Sequence, residues 1–294
     1  MTKGIVASPQ LYSSLCSANT LTVEGLFSSA VYLSFADGEL VMLHDGSYGA
    51  IPFGIAVDGL SGSARALGLD VGMELGVLNG SLSSPETSFA LALEYRPEPE
   101  HAPTPMDERR LRELTGDIEA ALERDGRSEL RYYAGGLSAP PRRESFADPF
   151  ARAGYEGVRR LDRAMLEKNA AELGPALEQL LGLGRGLTPS FDDFLCGAVY
   201  TFGRLSPGLP IAERLRAELY AIAPRRTNIY GAAYIRAAAT GGEFSLLRAV
   251  LFSSPGAERE AAVAAMLAVG GSSGADMLCG MLWAANYILI HPGA

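Results

Sequence analysis

The chain reads as an α+β protein, with a small β-rich N-terminal domain, barrel- or sandwich-like, followed by a larger all-α C-terminal domain. Three observations predict this. Residues 1–96 carry short runs of β-branched and aromatic residues set apart by Asp-Gly turn signals. Residues 97–105 contain Pro97, Pro99, Pro103 and Pro105, the composition of a linker. From residue 106 to residue 294 the apolar residues recur at helical spacing.

In the first part, Ser8 to Ser17 is a short helix capped by its own serine. Thr20 to Phe27 and Ala30 to Phe35 read as strands, and Asp37-Gly38 turns the chain into a further strand, Leu40 to Leu43. Asp45-Gly46 leads to Ile51–Val57, and Met73–Leu78 and Ser88–Tyr95 complete the set. His44, beside Asp45 at a strand end, reads as polar surface. In the second part, Asp107 to Arg124 is an amphipathic helix with Leu111, Leu114, Ile118 and Leu122 on one side. Arg127 to Ala134 reads as a stray strand. Helices follow at about 157–169, 171–182, 209–222, 229–239, 243–252, 255–269 and 274–290. Arg225 and Arg226, after Pro224 and just before a helix start, form a candidate carboxylate or phosphate clamp, or else a solvated basic turn.

Composition narrows the function. A net charge of −9 argues against a nucleic-acid or anionic-membrane surface. Lys3 and Lys168 are the only lysines, which disfavours Schiff-base chemistry. Cys16, Cys196 and Cys279 lie far apart, and the three histidines are not at ligand spacing, so neither a disulfide framework nor a zinc site is expected. Cys196 and Cys279 read as small core residues. No signal peptide opens the chain and no apolar run of membrane-spanning length occurs, so a cytoplasmic protein is expected.

The stretch that carries chemistry is Leu183-Gly184-Arg185-Gly186-Leu187-Thr188-Pro189-Ser190-Phe191-Asp192-Asp193-Phe194-Leu195-Cys196-Gly197. A glycine-rich loop runs into a helix that Ser190 caps, with Asp193 three residues on to reach back to the cap amide. Ser273-Gly274-Ala275-Asp276-Met277-Leu278-Cys279-Gly280 repeats the pattern 83 residues later (273 − 190). Ser-x-x-Asp is also an ordinary capping box that two packed helices can each need. The glycine density before the cap favours a loop that brings its amides up to a ligand. Asp192 and Asp193 would repel a bare phosphate, so either a cation bridges them or they accept from an amide, ureido or ammonium group. The two motif helices are expected to pack together, bringing Ser190, Asp192 and Asp193 close to Ser272, Ser273 and Asp276, with Arg226 at the rim.

The first motif resembles the signature G-x-G-L-T-P-S-G-D-D-F-L of a bacterial family of unknown function that includes the AllH subunit of oxamate carbamoyltransferase. Gly270-Gly271-Ser272-Ser273-Gly274-Ala275-Asp276 is similar to its second motif, G-x-(S/T)-S-G-x-D. Phe191 stands where the signature has glycine, which predicts a changed loop floor. The resemblance implies a subunit of a carbamoyltransferase of anaerobic allantoin degradation, acting on oxalurate and phosphate to give oxamate and carbamoyl phosphate. It implies Asp192, Asp193 and Asp276 as catalytic residues. Gly184, Gly186, Thr188, Ser190, Arg226, Thr227, Ser272 and Ser273 would bind a small carboxylate, ureido or phosphate ligand, and Asp192 and Asp193 are candidate magnesium ligands. It also implies partner subunits. The rival reading is a non-catalytic ligand-binding or assembly subunit.

Overall fold

Valine, leucine and isoleucine at alternate positions give short strands one buried face, and a small sheet can bury such faces fully by closing on itself. The computed structural model describes residues 2–60, 67–97, 104, 106–135 and 142–291. Within them the chain forms two compact units, Met1–Glu100 with Gly242–Leu246, and His101–Gly241 with Leu247–Ala294. Apart from residues 97 and 104, the linker expected at 97–105 lies outside the described residues.

The first unit is a closed barrel. Its strands are β1 (Thr2–Val6), β2 (Thr20–Leu26), β3 (Ala30–Ser34), β4 (Leu40–His44), β5 (Gly54–Val57), β6 (Glu74–Leu78), β7 (Ser81–Ser83) and β8 (Ala90–Tyr95), in the order β1-β5-β4-β3-β2-β6-β7-β8. Parallel pairing of β8 with β1 closes the ring, β4 and β5 are also parallel, and the other neighbours are antiparallel. Closure leaves no unpaired edge. Of the barrel-or-sandwich pair, the barrel is therefore the form adopted. Val6, Val23, Leu33, Leu43, Ile55 and Leu91 point inward, and Leu11 and Leu15 of helix α1 (Pro9–Ser17) join the same core. Ser8 caps α1 as expected, accepting from the Leu11 amide at 3.2 Å. Two strands escaped the sequence reading, β1 and β7. The second had a signal, because Asn79 and Gly80 both take positive φ in the turn between β6 and β7, as a tight hairpin requires.

His44 is not surface. It is 1% exposed, its Nδ1 accepts from the Gly46 amide at 3.1 Å and its ring meets Tyr48 edge-on. Burial pushes its pKa down to about 4. Every residue of β4 is buried, so both faces of the strand are covered, and the polar side chain at its end is enclosed with a partner for its ring nitrogen.

The second unit is helical: α2 (Glu108–Asp125), α3 (Arg131–Ala134), α4 (Pro149–Leu166), α5 (Leu173–Leu180), α6 (Ser190–Leu205), α7 (Pro210–Arg226), α8 (Ile229–Ala239), α9 (Ser245–Phe252, whose first two residues group with the barrel), α10 (Ala257–Leu267) and α11 (Ser273–Ile290). Asp107, Asp148 and Asn228 cap α2, α4 and α8 through their side chains. The stray strand expected at 127–134 is not formed. Gly126 ends α2 in the left-handed region, and the chain then turns through Ser128 into the short α3, whose Tyr133 hydroxyl donates to the Ala151 carbonyl. Helix α7 also runs through Pro224 instead of stopping before it. A proline in the last turn forfeits one hydrogen bond, to a carbonyl near an exposed helix end, and so does not break the helix.

Candidate functional site at the paired starts of α6 and α11

The two motif helices pack against each other along their length, and the reason lies in two glycines. An ideal Cβ on Gly197 would come closer than 3.0 Å to the Met277 carbonyl oxygen, and one on Gly280 closer than 3.0 Å to the Phe194 carbonyl oxygen. The 83-residue offset maps Gly197 onto Gly280 and Phe194 onto Met277, so the helices touch backbone to backbone at equivalent points about a local two-fold relation. Phe194 and Phe202 flank Trp283 with ring centroids 5.9 Å away in each case, and the Trp283 indole donates to Asp162 Oδ1 of α4 at 2.8 Å. Asp162 is buried, and burial raises its pKa to about 6.

This packing sets the two helix starts side by side. Ser190 and Ser273 are the first residues of α6 and α11, not their N-caps; Pro189 and Ser272 hold the cap positions, without side-chain capping bonds. The capping boxes expected from the sequence are therefore absent. The hydroxyls act across the helix pair instead of along each helix. Ser273 lies 3.1 Å from Thr188, which donates to Asp193 Oδ2 at 2.9 Å, and the Ser273 hydroxyl stabilises the ionised form of Asp193. Ser190 and Ser272 do the same for Asp276. A first-turn serine of each helix thus serves the aspartate of the other.

The three acids are buried to within 2% of full burial, but their surroundings differ. Asp192 has both oxygens engaged: the Gly182 amide donates to Oδ1 at 2.9 Å, and Thr227 Oγ1 donates to Oδ2. Gly231 of α8 leaves room for this carboxylate, since a Cβ there would run into it. Burial raises the Asp192 pKa to about 6 against these donors. Asp193 and Asp276 each keep one oxygen, Oδ1 and Oδ2 respectively, buried with no hydrogen-bond partner among the described residues. Burial raises the pKa of Asp193 well above the ordinary carboxylate range, and the Asp276 charge raises it further. Asp276 is raised to about 6, by burial first, with Ser128, Ser272 and Ser190 pulling down. Cys196 and Cys279 are buried, free thiols whose pKa values burial pushes up, as core residues and not as nucleophiles.

The loop glycines have partners inside the chain. A Cβ on Gly182 would sit 2.7 Å from the Arg226 carbonyl oxygen, and one on Gly184 would strike the Ser190 amide. Gly186, at φ +94°, has only the Thr188 carbonyl within reach, at 3.7 Å from such a Cβ, and is exposed. Arg225 and Arg226 lie in the last turn of α7, just ahead of the start of α8; Arg225 pairs with Glu178 and Arg226 donates to the Glu178 carbonyl. Asn228 ties this corner to the loop through the Leu187 carbonyl at 2.8 Å. Phe191 packs into the helical core. Its ring is fully buried against Gly154 of α4, where a Cβ would overlap it, and lies 6.2 Å from the Tyr133 ring. Asp192 and Asp193 turn to different partners, and among the described residues no group of three or more His, Cys, Asp or Glu side chains is placed to hold a metal. The donor set does not fit a magnesium ion between them.

Sequence reasoning missed the segment after α2. Arg127 pairs with Asp125 and donates to the carbonyls of Gly271 at 2.9 Å and Leu267 at 2.6 Å, pinning the second glycine loop and the end of α10. Ser128 donates to Asp276 Oδ1 at 2.5 Å. Neither residue lies in a motif, and the only signal was Gly126 as a helix stop.

A helical unit built on a duplicated loop-to-helix corner, with buried acids served by serine and threonine hydroxyls, defines the class. Residues 180–285 match the model of the family described as oxamate carbamoyltransferase subunit AllH, a span that holds both corners. No curated protein and no solved structure matches the chain.

Proposed function

We propose that this chain is a subunit of an oxamate carbamoyltransferase-like enzyme, which converts oxalurate and phosphate to oxamate and carbamoyl phosphate in anaerobic allantoin breakdown together with partner subunits. The observation that carries the reading is the pair of buried carboxylate oxygens without a hydrogen-bond partner among the described residues, Asp193 Oδ1 and Asp276 Oδ2, at the mouths of two helices inside the family-matched span. An orphaned acceptor at such a place calls for a donor. A ureido or amide group offers N–H donors without adding charge. Ser190, Ser272, Ser273 and Thr188, whose protons go to these carboxylates, supply hydroxyl oxygens that accept from N–H groups of the same ligand, Gly184 and Gly186 frame the loop beside them, and Arg226 with Thr227 borders it. Asp192, with both oxygens taken, serves as a support for the loop and α8 in this reading.

A specific observation favours a second reading, a non-catalytic assembly subunit. Gly182 and Gly184 face backbone of this same chain, so packing alone accounts for two of the three loop glycines. Thermal denaturation separates the two. Phosphate, oxamate, oxalurate and carbamoyl phosphate are added singly and in pairs, because a ligand that binds the folded state raises Tm by mass action. The enzyme reading expects a shift with at least one ligand or pair, abolished in Asp193→Asn and Asp276→Asn while both variants stay folded. No shift with any ligand, in the chain alone or reconstituted with its partners, favours the assembly role.

A further inference from the structure

Ser128 lies outside the family-matched span, yet its side chain is 5% exposed and points at Asp276. Three contacts fix its proton. The Leu130 amide donates to Ser128 Oγ at 3.2 Å and the Cys279 thiol donates to it at 3.7 Å. A serine oxygen has two acceptor lone pairs and one proton. With both lone pairs occupied, the hydroxyl proton has one direction left, Asp276 Oδ1 at 2.5 Å. Oδ1 is then held as the acceptor, and since a protonated oxygen is the poorer acceptor, the proton that Asp276 takes up goes to Oδ2, the oxygen with no hydrogen-bond partner among the described residues.

We propose that Ser128 is a positioning residue for Asp276, which reserves Oδ2 as the atom that takes up and releases a proton and that meets the ligand. The proton half of this inference rests on the geometry of residues 128, 130, 276 and 279; the ligand half rests on the site proposed above. The groups that act on Asp276 come from several elements. Ser190 and Asp193 face it from α6, Ser272 from the loop before α11, and Asp148 from the start of α4. Cys279 lies on its own helix, with Arg131 and Asp125 acting on that thiol from the segment around Ser128. No ion pair to Asp276 is formed among the described residues, and Ser128 is the first of the three hydroxyls that favour its ionised form.

The test is a carbon-detected NMR titration of the aspartate carboxyl groups in the full chain, with Asp276→Asn used to assign the Asp276 signal. A hydrogen bond to an ionised carboxylate favours that form, so Ser128→Ala is expected to raise the proton affinity of Asp276 roughly tenfold, and Ser128→Thr to restore it. Ser128→Cys, close in shape with a weaker donor, is expected to give an intermediate rise and covers the case in which the alanine variant does not fold. A Ser128→Cys or Ser128→Ala chain that is folded by circular dichroism and titrates Asp276 as the parent does would overturn the inference. The ligand half has its own arm. The Tm shift given by oxamate or carbamoyl phosphate should shrink in Ser128→Ala and vanish in Asp276→Asn. A shift kept in Asp276→Asn overturns the ligand half and the proposed site with it, whereas an unmoved titration overturns the positioning role itself.

Discussion

Asp162 shows in one residue how burial and partnership are traded in this molecule. Its carboxylate accepts from the Trp283 indole, yet burial outweighs that bond and leaves the pKa raised to about 6, against 3.8 for the unperturbed group. The sign of the linkage follows. A raised carboxyl pKa means the folded state binds the extra proton, so this contribution to stability is full below about pH 3.8 and is lost as pH rises through about 6. Asp162→Asn keeps an acceptor for Trp283 and removes the ionisation. Urea unfolding followed by the fluorescence of Trp283, the single tryptophan, should therefore show the variant gaining on the parent between pH 4.5 and 7.5. An equal difference at both pH values would show that Asp162 is not a burdened carboxylate. Asp192 and Asp276 share that sign, and of these two Asp276 is the one with an oxygen that has no hydrogen-bond partner among the described residues.

At the scale of elements, the α6–α11 crossing decides where the site is. Gly197 and Gly280 let the two backbones meet, and this close approach puts Ser190 beside Asp276 and Ser273 beside Asp193. Gly197→Ala or Gly280→Ala forces a methyl group against a backbone carbonyl that cannot rotate away. Each is expected to cost about 1–3 kcal/mol or more, the range for overpacking. Gly203→Ala, in the same α6 with nothing within 4 Å of the added carbon, is the control and should stabilise by about 0.5–1 kcal/mol. Thermal melts of the three variants check this; equal effects at all three positions would refute the crossing as described. Phe191 illustrates the same logic with the sizes reversed. At the repeat position, Gly274 must be small because a Cβ would strike the Met266 carbonyl, whereas Phe191 is accommodated because Gly154 supplies the space.

At the scale of the whole molecule, the two units should answer acid in opposite directions. In the barrel, His44 has a pKa lowered to about 4 from 6.5, so its contribution is present above about pH 6.5 and is lost as pH falls through about 4. In the helical unit, Asp162, Asp192 and Asp276 are relieved over much the same interval. Hydrogen exchange read by mass spectrometry, corrected for the intrinsic rate, should show the β3, β4 and β5 peptides losing protection relative to α6 and α11 between pH 7 and pH 5. Parallel change in both sets would contradict this. No helix among the described residues is long and apolar enough to cross a membrane.

Local pattern was enough for much of this. Alternation and Asp-Gly turns made the N-terminal strands legible, and 3.6-residue periodicity did the same for most helices, because both are set by which face of a short segment must leave water. The 83-residue repeat likewise marks a pair of related corners in the sequence itself. Other features are not local. That Ser190 and Ser273 serve the opposite helix instead of capping their own depends on how closely two backbones pass, and that closeness is a property of Gly197 and Gly280 together. Ser128 reaches Asp276 across 148 positions of sequence, through a turn that propensity reads as strand. His44 is buried on the face of β4 opposite Val41 and Leu43 of the barrel core, where the Tyr48 ring lies against it. The sequence by itself determined the kinds of element, the two corners and the residue types at them; the tertiary structure alone decided which hydroxyl meets which carboxylate and which oxygens stay open, because hydrogen-bond partners are assigned by proximity in space and not by order along the chain.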